Sequence, residues 1–428
     1  MQILPIVISL ITILFLIASI LFFSKIKLGI IQIDTFWIVT MIGAIVLIVC
    51  RCVSIQDLKE SFFSRTSVNP IKILVLFLSL SSLSIYLDEL GMFSHLATFF
   101  ANRFSKNQYV LFFGFYAMIS LLTIFTSNDI IILTFTPFLC VFCKENRINP
   151  LPYLMMEFVA ANTWSSILII GNPTNIYLSS FYNLDFMTYF MSMAIPTISA
   201  SITGLLILFL IFHKSLKEPL QHKYEKENKI KKIPLVFGLL HLVGCTVLLS
   251  VSSYLNLPMW LIAMAFSLSL MLFVILYSAA EKENQIVPLL KRLPWNLIPF
   301  VLSMFVLVLA LKNSGLTQII SQTFESWDQV ITFGYSGLLC ANLINNIPMA
   351  VLYSSLLEHA SLKAVYASIL ASNIAAYITP IGALAGIMFM NLTEKHDVKI
   401  SFVTFVKYGL LIGLPSATAG FLALRFLP

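Results

Sequence analysis

Long apolar stretches recur along the whole chain and are separated by short polar segments. A transmembrane helix requires about 20 consecutive apolar residues. The pattern predicts ten spans of this kind, two of which continue past a central break. The predicted spans cover residues 3–23, 28–50, 71–87, 151–170 continuing to 180, 187–212, 234–254, 258–278, 294–311, 364–377 continuing to 390, and 402–426.

Two further apolar stretches, residues 109–142 and 331–357, are each interrupted near the middle by polar residues. Each piece is shorter than a bilayer-spanning helix, so the pattern predicts two re-entrant hairpins with tips at mid-membrane. The first tip contains Ser127, Asn128 and Asp129. The second tip contains Asn345 and Asn346.

An internal repeat relates the two halves of the chain. LDELGMFSHLATFF (87–100) is echoed by LKNSGLTQIISQTF (311–324), and TSNDIIILTFTP (126–137) by INNIPMAVLYSS (344–355). AANTWSSILIIGNPTN (160–175) is echoed by ASNIAAYITPIGALAG (371–386). In this last pair, Asn162 precedes Gly171 and Asn373 precedes Gly382 by the same nine positions.

Each half holds five spans and one hairpin, and an odd number of crossings makes the second half enter from the opposite side. The predicted fold class is therefore an all-α polytopic membrane protein with two inverted repeats and broken helices at mid-membrane. The predicted boundaries are residues 1–212 for the first repeat, 213–233 for a basic cytoplasmic linker, and 234–428 for the second repeat.

Composition agrees with lipid as the main solvent, because 59% of residues are hydrophobic and 11% are charged, against about 25% charged in soluble domains. The net charge of +7 follows from Lys and Arg on cytoplasmic loops, so nucleic acid is not expected as a partner. With the linker in the cytoplasm, we expect a multi-pass protein of the plasma (inner) membrane with both termini outside. The first hairpin then opens to the cytoplasm and the second to the outside.

The four helix breaks are the candidate binding site. Irregular backbone within a membrane is tolerated only against protein or a water-filled cavity, and broken helix ends present free N–H and C=O groups. Asn and Gly also join ordinary membrane helices, so interhelical packing is the alternative interpretation. The candidate substrate- or ion-binding residues are Ser127, Asn128, Asp129, Asn162, Thr163, Gly171, Asn172, Thr174, Asn175, Asn345, Asn346, Asn373, Thr379 and Gly382.

Asp129 is the carboxylate expected at mid-membrane, where an acid is a functional candidate that binds a cation or carries a proton. A protonated Asp bonded to neighbouring backbone is the alternative. We expect Glu157 near the cytoplasmic end of its helix, within reach of the surface. The breaks contain no Lys or Arg, which favours a neutral solute or a cation. No catalytic residue, metal site or cofactor is expected beyond a coupling ion, H⁺ or Na⁺.

The motifs LDELGMF, SNDIIILTFTP, NNIPMAVL and ITPIGALA resemble those of the bacterial arsenite permeases. These permeases lie within an ion-transporter superfamily that includes sodium/proton antiporters and citrate or dicarboxylate carriers. The resemblance runs over nearly the whole chain. One departure concerns Asn162, where these permeases carry an acid nearby, and the GNPTN sequence is more similar to the antiporter and carboxylate-carrier branch.

The resemblance implies a secondary transporter, not an enzyme, with an elevator-type alternating-access mechanism. Its first implied function is proton-driven efflux of arsenite or antimonite; the alternative is a sodium/proton antiporter or a citrate/dicarboxylate-type anion symporter. The implied partners are a small inorganic or small anionic solute, the lipid bilayer, a second copy in a homodimer and a soluble ATPase subunit.

Overall fold

The structure is a computed structural model that describes residues 3–23, 25–28, 31–63, 69–104, 107–217, 219–220, 231–282 and 284–427. The described part is almost entirely α-helical, as predicted. Most of the predicted basic linker lies outside the described residues, because 218 and 221–230 are not among them.

The first half contains one β-hairpin and ten of the described helices. Its elements are α1 (Ile3–Phe22), β1 (Lys25–Leu28), β2 (Ile31–Asp34), α2 (Thr35–Val49), α3 (Ile55–Phe63), α4 (Pro70–Glu89), α5 (Met92–Phe104), α6 (Gln108–Phe125), α7 (Asn128–Asn146), α8 (Pro150–Trp164), α9 (Pro173–Phe181) and α10 (Phe186–Phe212).

The second half contains ten further α-helices among the described residues, in the same order. They are α11 (Lys232–Ser250), α12 (Met259–Glu281), α13 (Ile286–Arg292), α14 (Leu297–Asn313), α15 (Leu316–Glu325), α16 (Gln329–Ile344), α17 (Asn346–Leu356), α18 (Leu362–Ile374), α19 (Leu384–Lys395) and α20 (Phe402–Phe426).

The two halves are built alike down to single residues. Gly91 ends α4 at φ +78° and Gly315 ends α14 at φ +82°, in a conformation that glycine adopts without steric cost. The second arm of each hairpin starts at an asparagine, Asn128 or Asn346, and each broken helix resumes two residues after its break glycine, Gly171 or Gly382. The structure thus shows the repeated helix order; the inverted orientation and the repeat boundaries stay predictions.

Contacts between helices of different halves also occur in equivalent pairs, in which the counterpart helices make the same contact. Helix α2 packs against α14, and its counterpart α12 packs against α4. Helix α7 packs against α19, and its counterpart α17 packs against α9. The hairpins of each half therefore lie against the broken helix of the other half, which brings the four predicted breaks into one region.

Eight described helices are long and apolar enough to cross a membrane, judged by length and composition. The chain is therefore a multi-pass membrane protein. These helices include all the unbroken predicted spans except 28–50. They are Ile3–Ile20, Pro70–Glu89, Gln108–Phe125, Phe186–Phe212, Lys232–Ser250, Met259–Glu281, Ile286–Asn313 and Phe402–Phe426.

Two sequence predictions about these segments are wrong. The predicted span 28–50 contains a helix only from Thr35, because the preceding KIKL and IQID segments alternate apolar and polar residues and form an antiparallel β-hairpin, as that period favours. The first arm of the first hairpin is not too short to span. Its helix α6 has 18 residues, and the Asn107 side chain caps its start by accepting from the Tyr109 backbone N–H at 2.8 Å.

The core lies around the two broken helices. Residues 152–163 of α8 and 364–374 of α18 are buried on every side, and most of these residues are apolar, as is usual for helices enclosed by other helices. By contrast, α10, α11 and α12 each carry exposed leucines on one face, including Leu210, Leu240 and Leu276. These outer faces suit contact with lipid, so the polar breaks are held inside a protein shell.

Candidate functional site

The first hairpin tip is hydrogen-bonded to the broken helix α8. Ser127 has extended backbone (φ −122°, ψ 151°) and separates α6 from α7. The Asn128 side chain donates from Nδ2 to Oδ1 of Asn162 at 2.9 Å. Asn162 in turn donates to the Phe158 carbonyl at 2.8 Å. The tip and the middle of α8 are therefore joined through two buried amides.

Asn373 joins the two broken helices. Its Oδ1 accepts from Ser165 Oγ at 2.7 Å and from Asn172 Nδ2 at 3.0 Å. Its Nδ2 donates to Asn175 Oδ1 at 2.8 Å. Because Asn373 lies on α18 while the other three lie on the first broken helix, these bonds cross between the halves of the chain.

Thr174 adds a second link across the same interface. Its Oγ1 lies 2.9 Å from the Ser372 hydroxyl. Its backbone N–H donates to Asn172 Oδ1 at 3.1 Å, which caps the start of α9. We call Ser165, Asn172, Thr174, Asn175, Ser372 and Asn373 the asparagine cluster. Every one of these residues is buried.

The first hairpin tip is linked to this cluster through Ser165. The Ser165 hydroxyl lies 2.8 Å from the Asn162 carbonyl oxygen as well as bonding Asn373. Thr163, next to Asn162, donates to the Tyr377 hydroxyl at 3.1 Å. Neutral amides and hydroxyls thus form one connected network from α7 through α8 to α18.

The second hairpin tip docks on the second break through backbone groups. Asn345 bridges α16 and α17 at φ +79°, and its Nδ2 donates to the Ile381 carbonyl at 3.0 Å. The Asn346 N–H donates to the Gly382 carbonyl at 2.9 Å. Thr379 donates from Oγ1 to Asn342 Oδ1 at 2.7 Å. The tip therefore fits against the unwound segment before α19.

The two break glycines occupy equivalent close approaches. A Cβ at Gly171 would lie 2.2 Å from the Ser165 carbonyl oxygen, and a Cβ at Gly382 would lie 2.1 Å from the Ala375 carbonyl oxygen. Both distances are far below van der Waals contact. Glycine is therefore required at both positions for the chain to fold back on itself.

Asp129 faces a different region from the asparagine cluster. It is half-buried and lines a cavity of about 250 Å³ together with Asp34, Asn296 and Asn391. None of the cluster residues lines this cavity. The hairpin tip therefore presents Asn128 to the network and Asp129 to a separate cavity bordered by α2, α14 and α19.

A known protein family matches most of the chain. Residues 28–365 match the CitMHS family, described as citrate transporters. The chain belongs to the CitMHS family. The chain is therefore a membrane transporter and not an enzyme.

Arsenical pump membrane proteins are similar to this CitMHS chain over most of their length. That of Escherichia coli (strain K12) is 26% identical over 378 residues, covering 82% of this chain and 85% of the relative. That of Yersinia enterocolitica is 26% identical over 373 residues, with the same coverage. The resemblance to bacterial arsenite permeases is confirmed.

A solved structure shares the fold. The crystal structure of the Alcanivorax borkumensis YdaH transporter superposes with a TM-score of 0.58 and covers 99% of this chain and 97% of its own. The sequence identity is 11%, so the match shows the fold alone. It confirms the polytopic helical fold class of this CitMHS protein.

Glu157 corrects one expectation for this CitMHS protein. It does not reach the membrane surface, because it is the eighth residue of α8 and is completely buried. Both carboxyl oxygens lie 3.2 Å from Thr136 Oγ1 on α7. Helices α6, α7 and α10 pack around α8 and bury Glu157. The order of polar and apolar residues along α8 does not indicate this burial.

Glu157→Gln is expected to change the free energy of unfolding by less than about 1 kcal/mol, since the amide oxygen accepts the same bond from Thr136. Glu157→Leu leaves the Thr136 hydroxyl without this partner and is expected to cost about 1–3 kcal/mol. Thermal unfolding of the purified CitMHS protein in detergent checks both. Equal loss in the two variants would contradict the role given to this hydrogen bond.

Several network residues were not predicted. Ser165, Ser372 and Tyr377 lie close to predicted residues but carry no Gly or Pro signal of their own. Asn342 is one turn before the second tip, and an intramembrane Asn at that spacing could have identified it. The structure leaves Ser127 as the N-cap of α7 without a side-chain capping bond.

Proposed function

We propose that this chain exports arsenite or antimonite as the neutral trihydroxide. The observation that carries the proposal is Asn128 Oδ1, which is buried and has no hydrogen-bond partner among the described residues. A buried acceptor without a donor is costly. A solute that carries hydroxyl groups supplies the missing donor at the hairpin tip, beside the asparagine cluster.

The charge of the surroundings supports an uncharged solute. The buried polar residues in the described part of the chain are Ser, Thr, Asn and Gln, with Glu157 as the acid and no Lys or Arg. Burial of an unpaired charge is strongly unfavourable. A neutral polyhydroxide needs only the amides and hydroxyls that the network provides. The arsenical pump relatives support the same class of solute.

The proposed driving force is the proton gradient. Asp129 supports it, because this acid lies at the hairpin tip and faces a cavity large enough for several water molecules. In the proposed elevator-type cycle, the hairpins and broken helices α6–α9 and α16–α19 move together against the other helices. The hydrogen bonds among α7, α8, α9 and α18 support movement as one body. We also propose that the protein lies in the plasma membrane with both termini outside. In the same proposal, it forms a homodimer and binds a soluble ATPase subunit.

The alternative function is a citrate-type anion symporter or a sodium/proton antiporter on the same fold. The match to a family described as citrate transporters favours the first of these. Such an anion would bind at the N-terminus of α7, where Ser127 makes no side-chain capping bond and the first N–H groups of the helix favour negative charge. Co-bound sodium would then balance the charge.

Transport into membrane vesicles separates these functions. The full chain would be reconstituted as the only added transporter, and uptake of arsenite, citrate and sodium measured with and without a proton gradient. Arsenite accumulation that collapses with an uncoupler supports the proposal. Citrate uptake dependent on sodium, with no arsenite flux, would overturn it in favour of the anion symporter.

Asp129→Asn is expected to lower gradient-driven arsenite accumulation by about a hundredfold, because the variant no longer carries the proton. Downhill arsenite flux through the same variant should persist. The matched control is Asp397→Asn, at an exposed aspartate paired with Lys144 at 3.1 Å, which should transport normally. Normal accumulation by Asp129→Asn would remove Asp129 from the mechanism.

A further inference from the structure

The C-terminal end of α4 carries a cluster of charged and polar contacts. Thr134 on α7 donates from Oγ1 to Asp88 Oδ1 at 2.6 Å. Arg292 on α13 contacts Asp88 Oδ2 at 2.5 Å and Glu89 Oε1 at 2.6 Å. The Asp88 side chain is 7% exposed. We call these four residues the first clamp.

The repeat-related end of α14 carries a weaker version of the same arrangement. Lys312 contacts Glu358, which follows α17, at 2.9 Å, and both side chains are nearly half exposed. Asn313 donates to Asp57 on α3 at 3.3 Å. We call Asp57, Lys312, Asn313 and Glu358 the second clamp. In each clamp, a long helix of one half meets a short helix of the other half and the second arm of its own hairpin.

The two clamps differ in strength for physical reasons. Hydrogen bonds from Arg and Thr to a nearly buried carboxylate are short and charge-assisted. Exposed lysine–carboxylate pairs contribute little, because water and salt screen them. The contact with the hairpin is also closer in the first clamp than in the second. Thr134 lies within α7, whereas Glu358 lies beyond the end of α17.

We propose that Asp88, oriented by Arg292, is a positioning residue that holds the first hairpin arm, so that the second hairpin opens first. The cavities agree with this order. The cavity that touches α17 at Ser354 and Ser355 measures about 530 Å³, against about 250 Å³ for the one that touches α7 at Asp129. Opening as a transport step rests on the proposed function, but the unequal docking of the hairpins does not.

Hydrogen–deuterium exchange of the full chain in lipid nanodiscs tests the proposal without any solute. In Thr134→Val, which keeps the side-chain shape and removes the bond to Asp88, amides of α7 should exchange roughly tenfold faster. Amides of α17 should keep their wild-type rates. In Glu358→Gln, exchange in α17 should stay within about twofold of wild type.

Thr203→Val is the matched control, because Thr203 is a half-buried helical threonine whose hydroxyl donates to the Ser199 carbonyl one turn earlier. Thr134 makes that kind of bond as well, to Ile130 at 3.0 Å, so the control removes the shared effect. Unchanged exchange of α7 in Thr134→Val, or an equal rise in Thr203→Val, would overturn the proposal. If vesicles show no arsenite flux while the exchange pattern holds, the proposed function fails and the unequal clamps stand.

Discussion

Gly382→Ala is expected to lower transport by about a hundredfold, because a displacement of about 1 Å at a binding site has an effect of that order. The added Cβ would lie 2.1 Å from the Ala375 carbonyl oxygen and 3.1 Å from Asn342 Oδ1. The first contact is with backbone, which cannot rotate away, so the unwound segment must shift. The Gly382 carbonyl holds Asn346 at the second tip, and that docking would shift with it.

Gly337→Ala on α16 is the matched control for this prediction. The nearest atom to an added Cβ there is 3.4 Å away, which is ordinary contact, and Ala favours the helix. Initial rates of solute uptake, normalised to folded protein in the membrane, compare the two variants. Wild-type rates in Gly382→Ala would show that the break does not take part in transport.

Asn373→Leu is expected to destabilise the protein by about 3 kcal/mol or more, since several buried polar groups lose their partner at once and each costs about 1–3 kcal/mol. Asn172 Nδ2 and Asn175 Oδ1 both lose a bond to the same amide. Ser165 loses a 2.7 Å acceptor. Thermal unfolding of the purified protein measures the effect.

Asn313→Leu makes the same chemical change at an exposed asparagine, whose side chain donates to Asp57 at 3.3 Å. It should change stability by less than about 0.5 kcal/mol, as exposed substitutions usually do. If Asn373→Leu were as mild as Asn313→Leu, the asparagine cluster would not be a connected network. A folded Asn373→Leu protein that transports normally would leave the network with a packing role only.

The neutral hydrogen-bond network favours an uncharged solute, whereas the description of the family favours citrate, an anion. The groups at the first hairpin tip bear on this difference. The CitMHS family is described as citrate transporters, yet the buried polar groups here include no Lys or Arg in the described part of the chain. The orphan acceptor on Asn128 favours a hydroxyl donor over a carboxylate. Asn128→Asp replaces the neutral amide that bonds Asn162 with a carboxylate. This variant should therefore be included in the vesicle measurements.

The sequence by itself determined the membrane class, the unbroken spans other than 28–50, the repeat and the position of the four breaks. These features follow from local causes: runs of apolar residues set the spans, and Gly, Pro and Asn at mid-membrane disfavour continuous helix. The predicted pairing of Asn162 with Asn373 as equivalent positions also has a structural counterpart. Each donates its Nδ2 to the carbonyl four residues earlier, Phe158 and Ile369 respectively.

Only the tertiary structure decided which of these groups meet. Asn172 and Asn175 bond Asn373 about 200 positions away along the chain, and the pattern of one segment carries no information about its distant partner. The same reason explains why Glu157 is buried by neighbouring helices and why Asp129 faces a separate cavity. Burial and hydrogen bonding at these positions are set by packing between helices of both halves, which exists only after the chain has folded.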